Sequence, residues 1–237
     1  MKIALIGYGK MGKEIEKAAI ARNHEVVLKL DVSNPNEFTA ANLKKADVAI
    51  EFTTPDTAVA NIKKCFDASV PLVCGTTGWL AHFEEIKKLC LDKKQAFFYA
   101  SNYSIGVNLF FKLNEYLATL MKPYNGYVPS MEEIHHIHKK DAPSGTAITL
   151  AEQLILKHGG VKKWALKEGV KAGDLPIHSV REGEAPGTHS ITYASACDEI
   201  KITHQAYNRQ GFAEGAVIAA QWLHGKTGVF NMNDLLK

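Results

Sequence analysis

The sequence has few cysteines, and none of them stand at a metal-binding or redox spacing. The four are Cys65, Cys74, Cys90 and Cys197, and no CxxC pair occurs among them. A disulfide framework or a cysteine-ligated zinc site is therefore not expected, and free thiols in a reducing cytoplasm are. Cys74 precedes a glycine-threonine turn, where a small buried apolar side chain is the simplest interpretation.

Long apolar runs, signal-peptide features and basic clusters are also missing. The apolar stretches are too short to span a membrane, and the chain opens directly on a strand pattern, so no membrane partner is expected. The net charge of +3 comes from scattered residues, so nucleic acid is not an expected partner either. There are no internal repeats or low-complexity tracts. With 237 residues, 46% of them hydrophobic and 22% charged, the composition is that of a globular protein of one large or two smaller domains.

A glycine fingerprint stands near the start of the chain. The motif Gly7-Tyr8-Gly9-Lys10-Met11-Gly12 lies between an apolar run and a helical pattern, and Asp31 closes the next apolar run. Such glycines let a pyrophosphate approach the helix N-terminus, and an acid at the position of Asp31 accepts hydrogen bonds from a ribose hydroxyl. The motif predicts a dinucleotide site; a ligand-free strand–turn–helix connection is the alternative.

Three further strand patterns end in small polar turns. These turns are Thr53-Thr54, Gly75-Thr76-Thr77-Gly78 and Ala100-Ser101-Asn102-Tyr103. In an open parallel sheet the carboxyl ends of the strands line one crevice, where ligands bind. Together with the glycine loop, the turns predict a Rossmann-type α/β domain with a cofactor cleft.

The composition shifts after an apolar helix pattern that ends at Met121. Leu109, Phe110, Leu113, Leu117 and Leu120 form the predicted apolar stripe of that helix. A strand pattern over 127–136 follows, and three further strand patterns, over 177–181, 188–194 and 199–206, alternate polar and apolar residues and suit a sheet with one wetter face. We predict a dinucleotide-binding domain over 1–103, with 209–237 packed back on it, and an inserted α+β substrate-binding and oligomerisation domain over 104–208.

The chemistry is predicted to lie between Glu133 and Ala147. Ser144-Gly145-Thr146 has the pattern of an N-cap and first helical turn, whose free N–H groups suit a carboxylate. His135 or Lys139 beside that anion site is a plausible proton donor. His136 and His138 share one face of an extended strand and could bind a metal, but no carboxylate-rich partner motif accompanies them, and no metal is predicted. A polar loop that only caps the helix is the remaining alternative.

The pattern Glu133-x-His135-His136-x-x-Lys139-x-Asp141-x-Pro143-Ser144-Gly145-Thr146-Ala147 resembles the signature of the dihydrodipicolinate (4-hydroxy-tetrahydrodipicolinate) reductase family. The resemblance extends over nearly the whole chain, because the glycine loop, Phe52-Thr53, Gly75–Gly78, Ala100–Tyr103 and the Arg209 helix follow in family order. Departures are a glycine loop one residue shorter than in many members, Ser130 in place of a frequent glutamate, and a compact segment after Asp31.

The resemblance implies a reductase of lysine and diaminopimelate biosynthesis that acts on a small cyclic imine dicarboxylate. It implies His135 and Lys139 as the catalytic pair, and His136, Ser144, Gly145 and Thr146 as contacts of the substrate carboxylates. NADH or NADPH would contact the glycine loop and Asp31, together with Gly75, Thr76, Thr77, Ala100, Ser101, Asn102 and Tyr103. A homotetramer formed through the inserted domain is also implied.

Two other functions remain open, and a cofactor preference also follows from the sequence. A different nicotinamide-dependent dehydrogenase would have to share the lysine-to-threonine motif, and a cofactor-sensing regulator would normally carry a DNA-binding module. Asp31 repels a 2′-phosphate and Val32 offers no cation, so NADH should be used at least as well as NADPH. Lys10 and Lys29 could partly offset that repulsion.

Overall fold

The computed structural model describes residues Met1 to Lys237 and divides into two compact units. Unit 1 comprises Met1–Ile105 and Gln210–Lys237, and unit 2 comprises Gly106–Arg209. The strands are β1 (Lys2–Ile6), β2 (Glu25–Leu30), β3 (Val48–Glu51), β4 (Leu72–Cys74), β5 (Ala96–Tyr99), β6 (Val128–His135), β7 (Trp164–Leu166), β8 (Leu175–Arg181), β9 (Gly187–Ala194), β10 (Glu199–Ala206) and β11 (Gly228–Phe230). The α-helices are α1 (Lys10–Ala21), α2 (Ala40–Leu43), α3 (Pro55–Asp67), α4 (Phe83–Asp92), α5 (Ile105–Met121), α6 (Gly145–His158), α7 (Gln210–Leu223) and α8 (Met232–Leu235).

Unit 1 is built on a parallel sheet of six strands in the order β11-β5-β4-β3-β1-β2. Its central strands are short and apolar because both faces are covered by helices. Ile3 and Leu5 of β1 point into a core with α1 and α7, whereas Ala4 and Ile6 point into a second core with α3 and α4. This doubly covered sheet confirms the predicted Rossmann-type fold class.

Unit 2 is built on a separate mixed sheet in the order β10-β9-β6-β8-β7. β6 pairs parallel with β8 and antiparallel with β9, so two different strands flank it along its length. Burial alternates along β6, and Met131, Glu133 and His135 all lie on the buried face. That face packs against α6 through residues such as Leu150 and Leu154.

The predicted apolar stripe of α5 is wrong in three of its five positions. Leu109, Leu113 and Leu120 are about half exposed, whereas Phe110 is buried. The buried side of the helix also includes Asn114, which donates a hydrogen bond to the carbonyl of Leu150 at 2.9 Å. The sequence pattern failed here because α5 is apolar on more than one side, and a polar side chain occupies a core position.

Short elements supplement those expected from the sequence. Trp164–Leu166 forms β7 beside β8. The compact segment after Asp31 contains α2. None of the helices is long and apolar enough to cross a membrane.

Candidate functional site

The glycine loop of unit 1 has the geometry of a phosphate cradle. Gly7 has φ +94°, and a Cβ added there would lie 1.9 Å from the carbonyl oxygen of Phe52. A Cβ at Gly12 would lie 2.3 Å from the Gly7 carbonyl oxygen, whereas one at Gly9 would meet nothing within 4 Å. Gly7 and Gly12 are thus required by the turn itself, and Gly9 faces open space at the N-terminus of α1. Free N–H groups at such a helix start suit a pyrophosphate.

The side chain of Tyr8 is held by a charged pair from neighbouring elements. Its hydroxyl donates a hydrogen bond to Glu16, and the Lys29 ammonium pairs with the same carboxylate while lying 5.2 Å from the centre of the Tyr8 ring. The hydrogen bond to Glu16 raises the pKa of Tyr8, and the bond from Lys29 lowers the pKa of Glu16. Lys29 is therefore already engaged in this structure.

Asp31 is exposed at the carboxyl end of β2. The Ser33 N–H donates to its Oδ1 at 2.6 Å, and Ser33 with the more distant Lys13 holds the pKa of Asp31 below its usual range. Val32 next to it is fully exposed and adds no charge. The acid remains ionised and available to a ribose hydroxyl.

The turns after β4 and β5 contain both accessible and buried members of the predicted cofactor set. Thr76 is buried; its hydroxyl accepts from the Thr53 N–H at 2.7 Å, and its carbonyl accepts from Trp79 Nε1–H at 2.7 Å. Tyr103 is 2% exposed and donates to the Cys74 carbonyl at 2.7 Å, so its side chain belongs to the core. Ala100 is also buried, and Thr77 and Ser101 are exposed.

A buried acid behind these turns was missed by the sequence analysis. Glu51 is fully buried at the end of β3. Its carboxylate accepts hydrogen bonds from the Thr53 hydroxyl and from the Cys74 thiol at 3.1 Å. Burial and the nearby Glu51 raise the pKa of Cys74 well above its usual value, so this thiol is unreactive and structural. A glutamate closing an otherwise apolar strand was the available signal.

In unit 2, the buried face of β6 ends in an acid–base pair. Glu133 has no exposed surface and His135 is 7% exposed. Oε2 of Glu133 lies 3.4 Å from Nδ1 of His135, and Oε1 lies 3.2 Å from Nη2 of Arg181. β8 supplies Arg181 because its register places that residue opposite His135, and β9 supplies His189 opposite Glu133.

The electrostatics of this cluster follow from burial opposed by neighbouring charges. Burial lowers the pKa of His135; Glu133 counters this, while Lys139 and Arg181 reinforce it. Burial alone would raise the pKa of Glu133, but the hydrogen bonds from Ser144, the nearby Ser179 hydroxyl and the His135 charge lower it overall. Burial and the neighbouring His135 lower the pKa of His189 to about 4. The carboxylate is therefore held ionised among groups that compete for one proton.

Ser144 caps α6 and connects this cluster to the helix. Its N–H donates to both oxygens of Glu133 at 3.1 Å, and its Oγ accepts from the Ala147 N–H at 3.2 Å. His189 Nε2 lies 3.2 Å from the same Oγ. Gly145 and Thr146 form the first turn, where N–H groups have no partner within the helix. An anion can bind there, next to the Ser144 N–H that contacts the buried acid.

The loop between β6 and α6 carries the remaining predicted residues. Both oxygens of Asp141 bind the Lys139 ammonium at 2.8 Å. Arg181 fastens the loop by donating to the carbonyls of Lys139 and Asp141. β6 ends at His135, so His136 and His138 lie in the turn beyond it and not on an extended strand as predicted; His136 is half-buried and His138 is exposed.

One cluster has donors suited to a metal. Ligand atoms of Glu133, His135 and His189 lie within 4.8 Å of one another. However, the Glu133 carboxylate already accepts hydrogen bonds from the Arg181 guanidinium and the Ser144 N–H. A metal ion would have to displace the guanidinium of Arg181. The arrangement fits proton handling better. Sequence reasoning missed Arg181 and His189 because only strand register brings them to Glu133.

Comparison with known proteins gives two family matches, which together cover nearly the whole chain. The chain matches the family description "Dihydrodipicolinate reductase, N-terminus" over residues 1–103 and "Dihydrodipicolinate reductase, C-terminus" over residues 106–236. The chain belongs to the dihydrodipicolinate reductase family. It is accordingly an oxidoreductase of an NAD(P)H-dependent family, which confirms the resemblance and the enzyme class predicted from the sequence.

Individual members of the family align along the full chain. A 4-hydroxy-tetrahydrodipicolinate reductase of Christiangramia forsetii is 48% identical over 236 residues, which cover 100% of this chain and 98% of the relative. One from Methanoregula boonei is 33% identical over 252 residues and covers 99% of this chain and 97% of its own length. Among solved structures, a dipicolinate-bound dihydrodipicolinate reductase from a Paenisporosarcina species superposes with a TM-score of 0.79 at 24% identity, with 99% and 98% of the chains covered. That last likeness supports the fold.

Proposed function

We propose that this enzyme reduces 4-hydroxy-tetrahydrodipicolinate, a cyclic imine dicarboxylate, to tetrahydrodipicolinate in lysine and diaminopimelate biosynthesis, with one hydride from NAD(P)H and one proton taken up and the 4-hydroxyl group lost as water. Curated relatives with this activity in their names support the substrate, as does the dipicolinate bound to the Paenisporosarcina enzyme. The observation that carries the proposal is the buried pair of Glu133 and His135 beside the first turn of α6. A dicarboxylate held at that turn would have a proton donor within its reach.

The residues of unit 2 bind the substrate and supply the proton. The Gly145 and Thr146 N–H groups, with Ser144 and His136, would hold the carboxylates, because a helix start attracts anions. His135 or Lys139 would then donate the proton to the ring once it has become electron-rich. Lys139 would leave its ion pair with Asp141 and bind a substrate carboxylate instead.

The residues of unit 1 bind the nicotinamide cofactor, which supplies the hydride when it is bound. The glycine loop from Gly7 to Gly12 fits a pyrophosphate, and Asp31 fits a ribose. We infer that NADH is used at least as well as NADPH, because Asp31 is ionised and exposed. Lys29, a possible counter-charge for a 2′-phosphate, is engaged by Glu16.

We further propose a homotetramer formed through the sheet of unit 2. β10 is an edge strand, and its side chains are exposed or half-exposed along its whole length. Val128 and Ile200 are apolar residues on this sheet with 65% and 40% exposure. An edge of this kind is usually covered in the native assembly.

The test follows NADH oxidation while the imine is generated by its synthase. The wild-type enzyme should turn over, and His135→Ala and Lys139→Ala should each reduce kcat by on the order of a hundredfold, as for loss of a proton donor. NADH binding, measured by fluorescence, should be unchanged because it depends on unit 1. His138→Ala is the matched control and should retain activity, since that side chain is exposed. Absence of wild-type turnover would refute the function, and near-normal activity of both variants would refute the residue assignment.

A further inference from the structure

We propose that Glu133 is the positioning residue of the reaction: one carboxylate orients His135 for proton transfer and fixes the first turn of α6 for substrate binding. This rests on the proposed function. Neither role was apparent from the sequence, in which Glu133 is only the first residue of the motif.

The orienting role follows from the surroundings of the imidazole. Nδ1 of His135 is buried and makes no hydrogen bond of good geometry, although Oε2 of Glu133 lies only 3.4 Å away. Once the imidazole turns so that Nδ1–H donates to this carboxylate, Nε2 is the nitrogen left to exchange a proton with a ligand. A carboxylate that orients a histidine also stabilises the imidazolium that forms, a relation seen in unrelated proton-transfer sites.

The anchoring role uses the other contacts of the same carboxylate. The bifurcated hydrogen bond from the Ser144 N–H fixes the N-cap of α6, and Arg181 fixes the loop that leads to it. Movement of Glu133 would thus displace the proton donor and the anion site together. The carboxylate couples two steps that must occur on one bound ligand.

The charges that face His135 come from every element around it. β6 contributes Glu133, β8 contributes Arg181, β9 contributes His189, and the loop before α6 contributes Lys139 and Asp141. Arg181 and Lys139 are basic groups, and Asp141 is paired with Lys139. Glu133 is therefore the main buried anion that favours a protonated His135.

Glu133→Gln removes this charge but keeps an oxygen that can accept the Ser144 N–H. We expect the pKa of His135 to fall further, because Arg181 and Lys139 remain. The pH at which kcat/KM falls from its acid-side plateau should shift downward by about one unit. At neutral pH, kcat should fall by on the order of tenfold, while KM for the imine changes little.

Glu132→Gln is the matched control. It lies on the same strand with its side chain 40% exposed, and its Oε2 is also 3.4 Å from a histidine nitrogen, Nδ1 of His178. Because this change removes the same charge from the solvent-exposed face of β6, it should leave the pH dependence of kcat/KM unchanged. Glu133→Asp restores the charge on a shorter arm and should return the profile towards that of the wild type even if kcat stays low.

The decisive measurements are kcat/KM against pH and an NMR titration of His135 in the same variants. An unshifted profile and an unchanged His135 pKa in Glu133→Gln would overturn the proposal and leave Glu133 a purely structural residue. Should Glu133→Gln fail to fold, Glu133→Asp carries the test: a full wild-type kcat and pH profile despite the withdrawn carboxylate would overturn the positioning role. Wild-type inactivity would instead count against the proposed function, because the NMR titration needs no substrate.

Discussion

Acid should destabilise unit 2 through His189, and the size of the effect can be worked out from its surroundings. The side chain is 5% exposed and its Nε2 lies 3.2 Å from the Ser144 Oγ. Since that oxygen accepts from the Ala147 N–H, its own proton can be donated to Nε2 of a neutral imidazole. Protonation would bury a charge beside His135, so the folded protein keeps His189 neutral.

The expected loss of stability lies between pH 6.5 and pH 4. An unfolded histidine titrates near pH 6.5, whereas burial lowers the pKa of His189 to about 4 in the folded state. Below pH 6.5 the unfolded state therefore binds the additional proton, and stability decreases as the pH falls. The full difference corresponds to about 3 kcal/mol, of which about 2 kcal/mol should be lost between pH 7 and pH 5.

Urea unfolding of the wild type and of His189→Gln at pH 7 and pH 5, at one protein concentration, measures this loss. The variant cannot be protonated and should lose about 2 kcal/mol less than the wild type over that interval. His138→Gln removes an exposed histidine and should behave like the wild type. Equal pH dependence in wild type and His189→Gln, or a His189 pKa near 6.5 by NMR, would refute the reasoning.

Two further predictions concern the cofactor and the assembly. Asp31→Ser should raise the ratio of kcat/KM for NADPH to kcat/KM for NADH by on the order of tenfold. The increase should be larger at low salt than at high salt, because salt screens the repulsion between Asp31 and the 2′-phosphate in the wild type. A clear preference of the wild type for NADPH would show that the lysines dominate the pocket. Light scattering at micromolar concentration should give four times the mass of a single chain, and Ile200→Lys on the edge strand should reduce it; a clean wild-type monomer would contradict the tetramer.

The sequence was most informative where local chemistry dictates the structure. The glycine loop needs particular backbone angles and close contacts, and the N-cap at Ser144 is a local interaction, so both elements were predictable from a few adjacent residues. Buried runs and their terminal turns were sufficient for the fold class.

The parts that could not be predicted depend on contacts between distant segments. Arg181 and His189 reach Glu133 only through the pairing of β8 and β9 with β6, and no local pattern encodes that register. The burial of Asn114 instead of a leucine on α5 depends on a hydrogen bond to α6. The engagement of Lys29 by Glu16 was equally hidden, because it joins β2 to α1.

The order of strands in the first sheet has a consequence for synthesis. β11 pairs with β5, and α7 covers one face of the same sheet, yet both follow unit 2 in the chain. While the ribosome is still producing unit 2, the edge of β5 and the apolar side chains beneath α7 have no cover. Unit 2 can complete its own core first. Until residues more than a hundred positions later are synthesised, the nascent sheet of unit 1 keeps an unpaired edge at β5 and an exposed apolar face. We therefore expect chains that stop short of β11 to aggregate more readily than the full chain.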